Sequence, residues 1–232
     1  MSTLPQSPEK VIFAPDRYQY TKGSLSESQL NPKTPFQIFH RWFNQASSSE
    51  MITSPEALTL STSQLPSGRV SSRTVLLKQL DSKGFVFYSN WETSKKARDI
   101  KSNPRAALTF WWEPLQRQVR VEGVTEHLSQ EESKEYFDTR PRKSRIGAWA
   151  SAQSTLLHSR DELDAKVSEL ENKFAGMAYI PIPPFWGGMR IIPDEIEFWQ
   201  GRDNRLHDRF IYERQLSVDG NHSEWTLKRL SP

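Results

Sequence analysis

The side chains best suited to chemistry in this sequence are concentrated in residues 199–209. This segment follows an apolar, strand-like run and contains three arginines, one histidine, one tryptophan and two aspartates. An indole face can stack on a planar ring, a guanidinium group can bind phosphate or carboxylate, and an imidazole can exchange a proton near neutral pH. The segment therefore suits a planar anionic ligand. A charged hairpin turn is the alternative interpretation.

Two further segments combine basic side chains with features that hold anions. Arg73 and Lys78 stand at the ends of an apolar run, and regular strand alternation would direct their side chains to opposite faces. Ser94, Lys95 and Lys96 begin a short predicted helix, and the N–H groups of a helix N-terminus attract anions. Both segments indicate phosphate binding. For Arg73 and Lys78, a strand whose cations extend into solvent is the alternative.

A third basic segment contains Tyr136, Arg140 and Ser144. Tyr136 and Arg140 are four residues apart and therefore share one face of a predicted helix. Together with Lys78, these side chains would provide two cations and two hydroxyl groups, a set suited to a phosphate dianion. A nucleic-acid-binding patch or a solvated loop is the alternative for the basic run that begins at Arg140.

Hydrophobic periodicity and turn residues predict the elements that would position these segments. A helix is predicted with Thr34 as N-cap and Pro35 at its first position, a short one over residues 94–101, and two more at the capping boxes that begin with Ser129 and Ser159. The predicted strands are residues 57–61, 71–79, 85–89, 106–112, 118–123, 189–192, 195–199, 209–214 and 225–230. Strands at both ends of the chain indicate one domain built on a closed or partly closed antiparallel barrel.

Composition narrows the class of protein. The 232 residues include no cysteine, which excludes disulfides and thiolate metal sites, and no apolar run approaches the ~18 residues of a membrane span. Hydrophobic residues make up only 35% of the chain, but eight tryptophans and twelve phenylalanines compensate, and a lean aromatic core fits an oligomer. The net charge of +3 allows nucleic acid or phosphorylated small molecules as partners, and the clustering of cations favours the small molecules.

The N-terminal region differs from the rest of the chain. Residues 1–33 are rich in proline, serine and other polar residues and predict a mobile arm, which leaves residues 34–232 as a single folded domain. The first residues lack the charged and apolar regions of a secretory signal. We therefore expect a cytoplasmic protein.

Three segments together resemble the pyridoxamine 5′-phosphate oxidase family. Residues 73–78 are similar to the family's flavin-binding strand, residues 136–149 to its substrate-phosphate segment and residues 199–209 to its C-terminal signature. They occur in the family's order, within a similarity that extends from about residue 20 to residue 232. The resemblance implies a mainly β, α+β fold: a split β-barrel that binds flavin mononucleotide (FMN), with peripheral helices. It also implies a homodimer with two flavin sites at the subunit interface.

The resemblance implies a set of FMN-binding residues. Arg73 would contact the flavin phosphate, and the backbone between Arg73 and Lys78 would border the isoalloxazine ring. The full set is Arg73, Thr74, Val75, Leu76, Leu77, Lys78, Tyr88, Ser89, Lys95, Lys96, Gln118, Gln153, Ser154, Trp199 and Arg209. Position 95 is often arginine in the family, and a lysine there supplies a point charge without a bidentate fork.

A second implied set would bind the substrate. The residues implied for its phosphate are Lys78, Tyr136, Arg140 and Ser144. Those implied for its pyridine ring are Arg205, Leu206 and His207, of which Arg205 and His207 are the implied catalytic pair. Their roles would be orientation and electrostatics, with proton transfer by His207 as a further option. The N-terminal residues Arg17, Tyr18, Gln19 and Tyr20 would fold over the site, and a disordered tail is the alternative for them.

The implied reaction is the oxidation of pyridoxamine 5′-phosphate or pyridoxine 5′-phosphate to pyridoxal 5′-phosphate, in vitamin B6 biosynthesis and salvage. Hydride would pass from the substrate's 4′ carbon to flavin, and dioxygen would reoxidise the flavin, giving hydrogen peroxide, with ammonia released from the amine. No metal, nucleic acid or membrane is implied. Three alternatives stay open: a related flavin or deazaflavin reductase, a basic nucleic-acid-binding barrel and a vitamin B6 carrier without turnover.

Overall fold

The computed structural model describes residues 19–219 and 222–232. Arg17 and Tyr18, two of the residues implied for the substrate site, lie outside the described residues. The described strands are β1 (Ala57–Gln64), β2 (Arg69–Leu76), β3 (Gln79–Leu80), β4 (Phe85–Asn90), β5 (Arg105–Trp112), β6 (Arg117–His127), β7 (Trp186–Gln200), β8 (Asp208–Glu213) and β9 (Thr226–Leu230).

These strands form one antiparallel sheet. Their spatial order is β2-β1-β5-β6-β7-β4-β3, and β7 also pairs with β8, which pairs with β9. The sheet curls into a half-barrel surrounded by helices, so the predicted split-barrel, α+β class is confirmed. Most paired strands are consecutive along the chain, but β1 also lies beside β5 and β4 beside β7, so strands from both halves of the sequence share one sheet.

The α-helices of the described residues are α1 (Phe36–Ser47), α2 (Lys95–Ser102), α3 (Gln130–Thr139), α4 (Arg142–Ala150) and α5 (Arg160–Lys173). The hydroxyls of Ser94, Ser129 and Ser159 cap α2, α3 and α5 by accepting from backbone N–H groups in the first turn. The capping box predicted at Ser159 is incomplete, because the Glu162 carboxylate accepts from His158 N instead.

Two local predictions are wrong and one helix is not predicted, each for a physical reason. The N-cap of α1 is Pro35 and not Thr34, because the first intrahelical hydrogen bond runs from Phe39 N to Pro35 O. The sequence does not predict α4, whose buried side is small and follows a run of basic residues. The two strands predicted on either side of Pro193 are one strand, β7, because a register shift between Glu122 and Gly123 of β6 accommodates the proline.

Aromatic packing between α1 and one face of the sheet forms the main core. The Phe39 ring centroid lies 4.9 Å from that of Phe85 and 5.3 Å from that of Phe110, and the Trp42 ring packs edge-on against Phe198 at 5.5 Å. Such pairs bury large areas in favourable geometry. This core occupies the inner face, so the side chains on the opposite face of the same strands are free to be polar.

The N-terminal segment runs along this body from residue 19 onwards. Leu25 and Leu30 are buried in the main core, and Leu25 N donates to Asp208 Oδ2 at 3.0 Å. The mobility expected for residues 1–33 and the single domain expected for residues 34–232 stay predictions. The contacts of Leu25 and Leu30 attach the second half of that segment to the barrel.

The register shift beside Pro193 yields a test of the fold. A Cβ added at Gly123 would lie 2.1 Å from the backbone oxygen of Ile192. Gly123→Ala should therefore destabilise the protein by about 1–3 kcal/mol, the usual cost of overpacking. At Gly147, within α4, an added Cβ meets nothing within 4 Å, so Gly147→Ala should stabilise by about 0.5–1 kcal/mol. Urea unfolding measures both, and equal effects at the two positions would contradict the close strand contact.

Candidate active site

A groove of about 480 Å³ collects most of the implied FMN and substrate-phosphate residues. Its lining is Arg73, Thr74, Val75, Leu76, Lys78, Tyr88, Ser89, Lys95, Lys96, Tyr136, Arg140, Gln153, Ser154 and Trp186. These residues come from β2 and the segment after it, β4, the start of α2, the end of α3, the loop before α5 and the start of β7. A cavity of about 540 Å³ elsewhere on the sheet contains none of the implied site residues.

A change of strand partner explains how Arg73 and Lys78 line the same groove. β2 ends at Leu76, three residues before the predicted end. Leu77 N then donates to Glu56 O, next to β1, whereas Lys78 N donates to Val86 O of β4. Because the chain leaves one partner strand for another, the alternation that would separate Arg73 from Lys78 is interrupted. Leu77 is buried in the core and does not line the groove.

Three cations form one end of this site, which we call the cation cluster: Arg73, Lys95 and Lys96. Lys96 Nζ donates to Gln153 Oε1 at 2.5 Å, and the N-terminus of α2 directs the Lys95 N–H to Ser154 Oγ at 3.2 Å. Burial, together with the charge of Arg73, lowers the pKa of Lys96 to about 8. A cluster of this kind is poised to bind a phosphate dianion.

An aromatic wall forms another part of the groove. The Tyr88 ring stacks on Tyr136, with centroids 4.2 Å apart, and on Trp186 at 5.3 Å. The Arg140 guanidinium lies over the Trp186 ring at 4.7 Å, and its Nη1 is buried without a hydrogen-bond partner among the described residues. Burial lowers the pKa of Arg140, against the influence of Tyr136, and a nearby anion would favour its charged form.

Sequence reasoning missed Trp186, and the signal for it is weak. Trp186 precedes Gly187 and Gly188 at the start of β7, and a Cβ at Gly188 would lie 3.0 Å from the Tyr88 ring. The glycine therefore allows Tyr88 to lie close against β7 beside Trp186. Ser144, implied for the substrate phosphate, is half-buried on α4 and is not among the residues that line the groove.

The remaining implied residues form a second group, which does not line the groove. It comprises Gln118, Trp199, Arg205, Leu206, His207 and Arg209. Gln118 pairs with Trp199, and Trp199 pairs with Arg209, in one cross-strand row over β6, β7 and β8. The same row includes Trp111 of β5, a half-exposed residue whose ring centroid lies 5.9 Å from that of Trp199. Sequence reasoning did not single out Trp111.

Within this group, the bonding of His207 defines its donor atom. His207 Nδ1 accepts from Arg202 N at 3.1 Å, so in the neutral ring the proton is on Nε2. Burial, and then the charge of Arg205, lower the pKa of His207 against the opposing effect of Asp208. At neutral pH this side chain therefore offers an Nε2–H donor. Arg209 is held by the Glu197 carboxylate, with bonds of 2.8 and 3.0 Å.

The N-terminal segment covers this second group. The Tyr20 ring packs edge-on against Trp199 and against His207, with centroids 5.4 Å apart in both pairs. Gln19 Oε1 accepts from Asn204 N at 3.0 Å. A Cβ at Gly201 would lie 2.7 Å from the Tyr20 ring, so the glycine allows this close approach.

No group of three or more histidine, aspartate or glutamate residues could hold a metal ion within residues 19–219 and 222–232. Across the same residues, no helix is both long enough and apolar enough to cross a membrane.

Comparison with known proteins identifies relatives over the full extent of this architecture. The family model described as pyridoxamine 5′-phosphate oxidase matches residues 46–174, and the one described as the pyridoxine 5′-phosphate oxidase C-terminal dimerisation region matches residues 186–232. A probable pyridoxamine 5′-phosphate oxidase of Schizosaccharomyces pombe is 58% identical, over 97% of this chain and 96% of its own. The pyridoxamine 5′-phosphate oxidase of Saccharomyces cerevisiae is 52% identical, over 98% and 97%.

Solved structures of related proteins have a similar fold. PhzG from Burkholderia lata, crystallised with tetrahydrophenazine-1-carboxylic acid, superposes with a TM-score of 0.79 at 30% identity, covering 90% of this chain and 97% of its own. A pyridoxamine 5′-phosphate oxidase-related, FMN-binding protein of Nostoc punctiforme has a TM-score of 0.65 at 16% identity, covering 86% and 98%. The latter supports the fold alone.

The low pKa of Lys96 predicts a pH dependence of phosphate binding in the groove. Below pH 8 Lys96 is charged and attracts a dianion, whereas above pH 8 it must first take up a proton. Affinity for FMN should therefore fall above pH 8, by at most about tenfold per pH unit. Flavin fluorescence quenching between pH 7 and 9.5 measures it, with riboflavin as the phosphate-free control. The Lys96→Met variant should bind FMN more weakly, and its affinity should no longer fall above pH 8. A wild-type affinity that does not change with pH would refute a contact between Lys96 and the phosphate.

Proposed function

This chain belongs to the pyridoxamine 5′-phosphate oxidase family, and from that premise we propose that it oxidises pyridoxamine 5′-phosphate and pyridoxine 5′-phosphate to pyridoxal 5′-phosphate with FMN and dioxygen. With pyridoxine 5′-phosphate, the substrate and dioxygen give pyridoxal 5′-phosphate and hydrogen peroxide. With the amine, water is also consumed and ammonia is released. The observation that carries the proposal is a single groove that combines the cation cluster with a second pair of cations, Lys78 and Arg140.

The donors of the groove fit FMN. Arg73, Lys95 and Lys96 offer three cations beside the N-terminus of α2, which is the donor set that a terminal phosphate requires. Ser89 and Gln153 provide neutral polar groups on the same lining, and Ser89 Oγ donates to Gln153 Oε1 at 3.0 Å. When bound, FMN supplies the hydride acceptor, which dioxygen regenerates.

The second pair of cations suits the phosphate of the substrate. Arg140 lies over the Trp186 ring and lines the groove, so its guanidinium group would donate to an oxygen of the phosphate. The Tyr136 ring lies one helical turn before Arg140 and stacks on Tyr88, so both side chains are held before substrate arrives. Lys78, which follows β2, would add a second cation to this part of the groove. These residues would fix the position of the substrate and leave the chemistry to the flavin.

The pyridine ring of the substrate requires the second group of residues. His207 would donate from Nε2 to an oxygen or nitrogen of the substrate, and Arg205 would stabilise negative charge on the ring. Arg205 is exposed, with a φ of 65°, so its side chain projects from a constrained turn. Neither residue lines the groove of its own chain.

A homodimer would bring the two groups together. The region matched to the dimerisation model, residues 186–232, includes the whole Trp199–Arg209 turn. We propose that the groove of one subunit is completed by Trp199, Arg205 and His207 of a second copy. The same arrangement would place flavin at the subunit interface and would give two sites per dimer.

One spectroscopic experiment tests the proposed reaction. The purified protein, loaded with FMN, is recorded without oxygen, then with pyridoxine 5′-phosphate, then in air. We expect the flavin absorption to bleach with substrate and to return with air. A flavin spectrum that stays unbleached would favour a split-barrel reductase or another flavoprotein. Failure to take up FMN, together with salt-dependent binding of RNA or DNA, would favour the nucleic-acid-binding alternative.

Substitutions should separate the two groups of residues. Arg205→Ala should cut turnover by about two orders of magnitude or more, because it removes a group that acts on the substrate ring, while FMN occupancy stays near that of the wild type. Arg73→Ala should instead lower FMN occupancy, because it removes one cation from the phosphate site. Absorbance ratios and steady-state rates measure both effects. Equal loss of turnover and occupancy in Arg205→Ala would remove that residue from the substrate site.

Mixed dimers test whether two subunits share one site. Lys78→Ala changes the groove and Arg205→Ala changes the turn, so each homodimer should be inactive. A heterodimer would keep one intact site, and random mixing of the two variants should restore roughly a quarter of wild-type activity. Refolding or co-expressing the two chains in equal amounts measures this recovery. No recovery, with heterodimers present by mass, would mean that the groove and the turn act within one chain.

A further inference from the structure

We propose that Asp99, held by Thr62, is a positioning residue that fixes Arg73 and Lys95 for a flavin phosphate and thereby makes the site prefer FMN over riboflavin. This inference rests on the proposed function, because it concerns the same cofactor. Asp99 does not line the groove, so it would act only through the cations that do.

The geometry centres on one buried carboxylate. The side chain of Asp99 is 1% exposed, and it accepts from Thr62 Oγ1 at 2.7 Å and from Lys95 Nζ at 3.0 Å. Its Oδ2 also lies 3.7 Å from Arg73 Nη2. Three different elements, α2, β1 and β2, therefore meet at this carboxylate.

The hydroxyl of Thr62 also links Arg73 to Asp99 through two hydrogen bonds. Its Oγ1 accepts from Arg73 Nη1 at 2.7 Å while the hydroxyl proton is donated to Asp99. Arg73 Nη1 also donates to Ser71 O at 3.0 Å. The guanidinium group is therefore fixed on one side by β1 and β2. Such fixed donors lose little conformational entropy when they bind an anion.

Asp99 is charged at neutral pH. Burial alone would raise the pKa of its carboxyl, but hydrogen bonds from Thr62 and Lys95 and the charges of Lys95 and Arg73 outweigh burial and hold the pKa below its ordinary value. A buried carboxylate paired in this way is costly to disrupt, because removing its partners leaves the charge unsatisfied.

The summed charge of the cation cluster and Asp99 matches the charge of a phosphate dianion. Arg73, Lys95 and Lys96 place like charges on the lining of one groove, and burial, followed by repulsion from Arg73, lowers the pKa of Lys96. The carboxylate of Asp99 reduces this repulsion and leaves an excess of two positive charges for a phosphate dianion. Asp99 also holds Lys95 through a spacing of four residues on α2, which fixes the position of this ammonium group.

The test measures the ratio of FMN affinity to riboflavin affinity, because only FMN carries the phosphate. Asp99→Asn keeps the size of the side chain and removes its charge. We expect it to weaken FMN binding by about tenfold while riboflavin binding changes by less than about twofold. Quenching of flavin fluorescence measures both affinities without turnover.

Matched variants separate positioning from folding. Asp138→Asn removes an aspartate that is paired with Lys134 at the same spacing of four residues on α3, and it should leave the ratio unchanged. Thr62→Val, which removes the hydroxyl, should lower the ratio in the same direction as Asp99→Asn. Thr62→Ser, which keeps the hydroxyl, should have a ratio of FMN to riboflavin affinity close to that of the wild type. These two variants test the inference even where Asp99→Asn fails to fold.

The outcomes distinguish this inference from the proposed function. A wild-type protein with no preference for FMN would overturn the cofactor assignment, and the role of Asp99 with it. A wild-type preference that Asp99→Asn and Thr62→Val both retain would overturn the role of Asp99 alone. A lowered ratio in both variants, with the Asp138→Asn ratio unchanged, is the expected result.

Discussion

Holding like charges together beside an apolar core is the constraint on which the groove depends. Arg73, Lys95 and Lys96 lie within one wall of the groove, and two of them lose part of their hydration there. Water would ordinarily stabilise these charges, so the protein must replace water with fixed partners. The partners are the carboxylate of Asp99, the hydroxyl of Thr62 and the amide of Gln153.

The barrel makes this substitution possible. Aromatic packing against α1 stabilises the inner face of the sheet and fixes β1, β4 and β5. The chain can then change partner after Leu76, which directs Arg73 and Lys78 into one groove. On β7, the absence of a side chain at Gly188 leaves room for the Tyr88 ring beside Trp186. The apolar core therefore determines where the polar site forms.

The second group of residues lies on the outer face of the sheet, away from the groove. Trp111, Gln118, Trp199 and Arg209 form a row across the face of the sheet that is opposite the core. Trp111 lies beside Trp199 on this face and exposes apolar surface to solvent, which is typical of surfaces that bind other molecules. A second copy of the chain would cover this row and bring the turn that contains Arg205 and His207 to the groove. Catalysis and assembly would then depend on the same surface.

The sequence by itself determined the family, the strand-rich fold class and nearly all residues of the groove, because the type and order of charged residues carry that information locally. The approximate residue ranges of most helices and strands also follow from hydrophobic periodicity. The sequence could not predict that Arg73 and Lys78 face the same groove, because their common direction depends on hydrogen bonds to Glu56 and Val86. The sequence likewise predicts two strands, residues 189–192 and 195–199, where the structure has one, because the strand continues through Pro193 only with the register shift at Gly123 of β6.

Only the tertiary structure decided the environment of each charge. Asp99 is one of many charged residues in the sequence, and its importance arises from Thr62 and Arg73, which are 37 and 26 positions away along the chain and meet it only after β1, β2 and α2 pack together. Trp186 likewise becomes a wall of the site because β7 pairs with β4. Residue types are local properties, whereas burial, bonding partners and pKa shifts depend on contacts between distant segments.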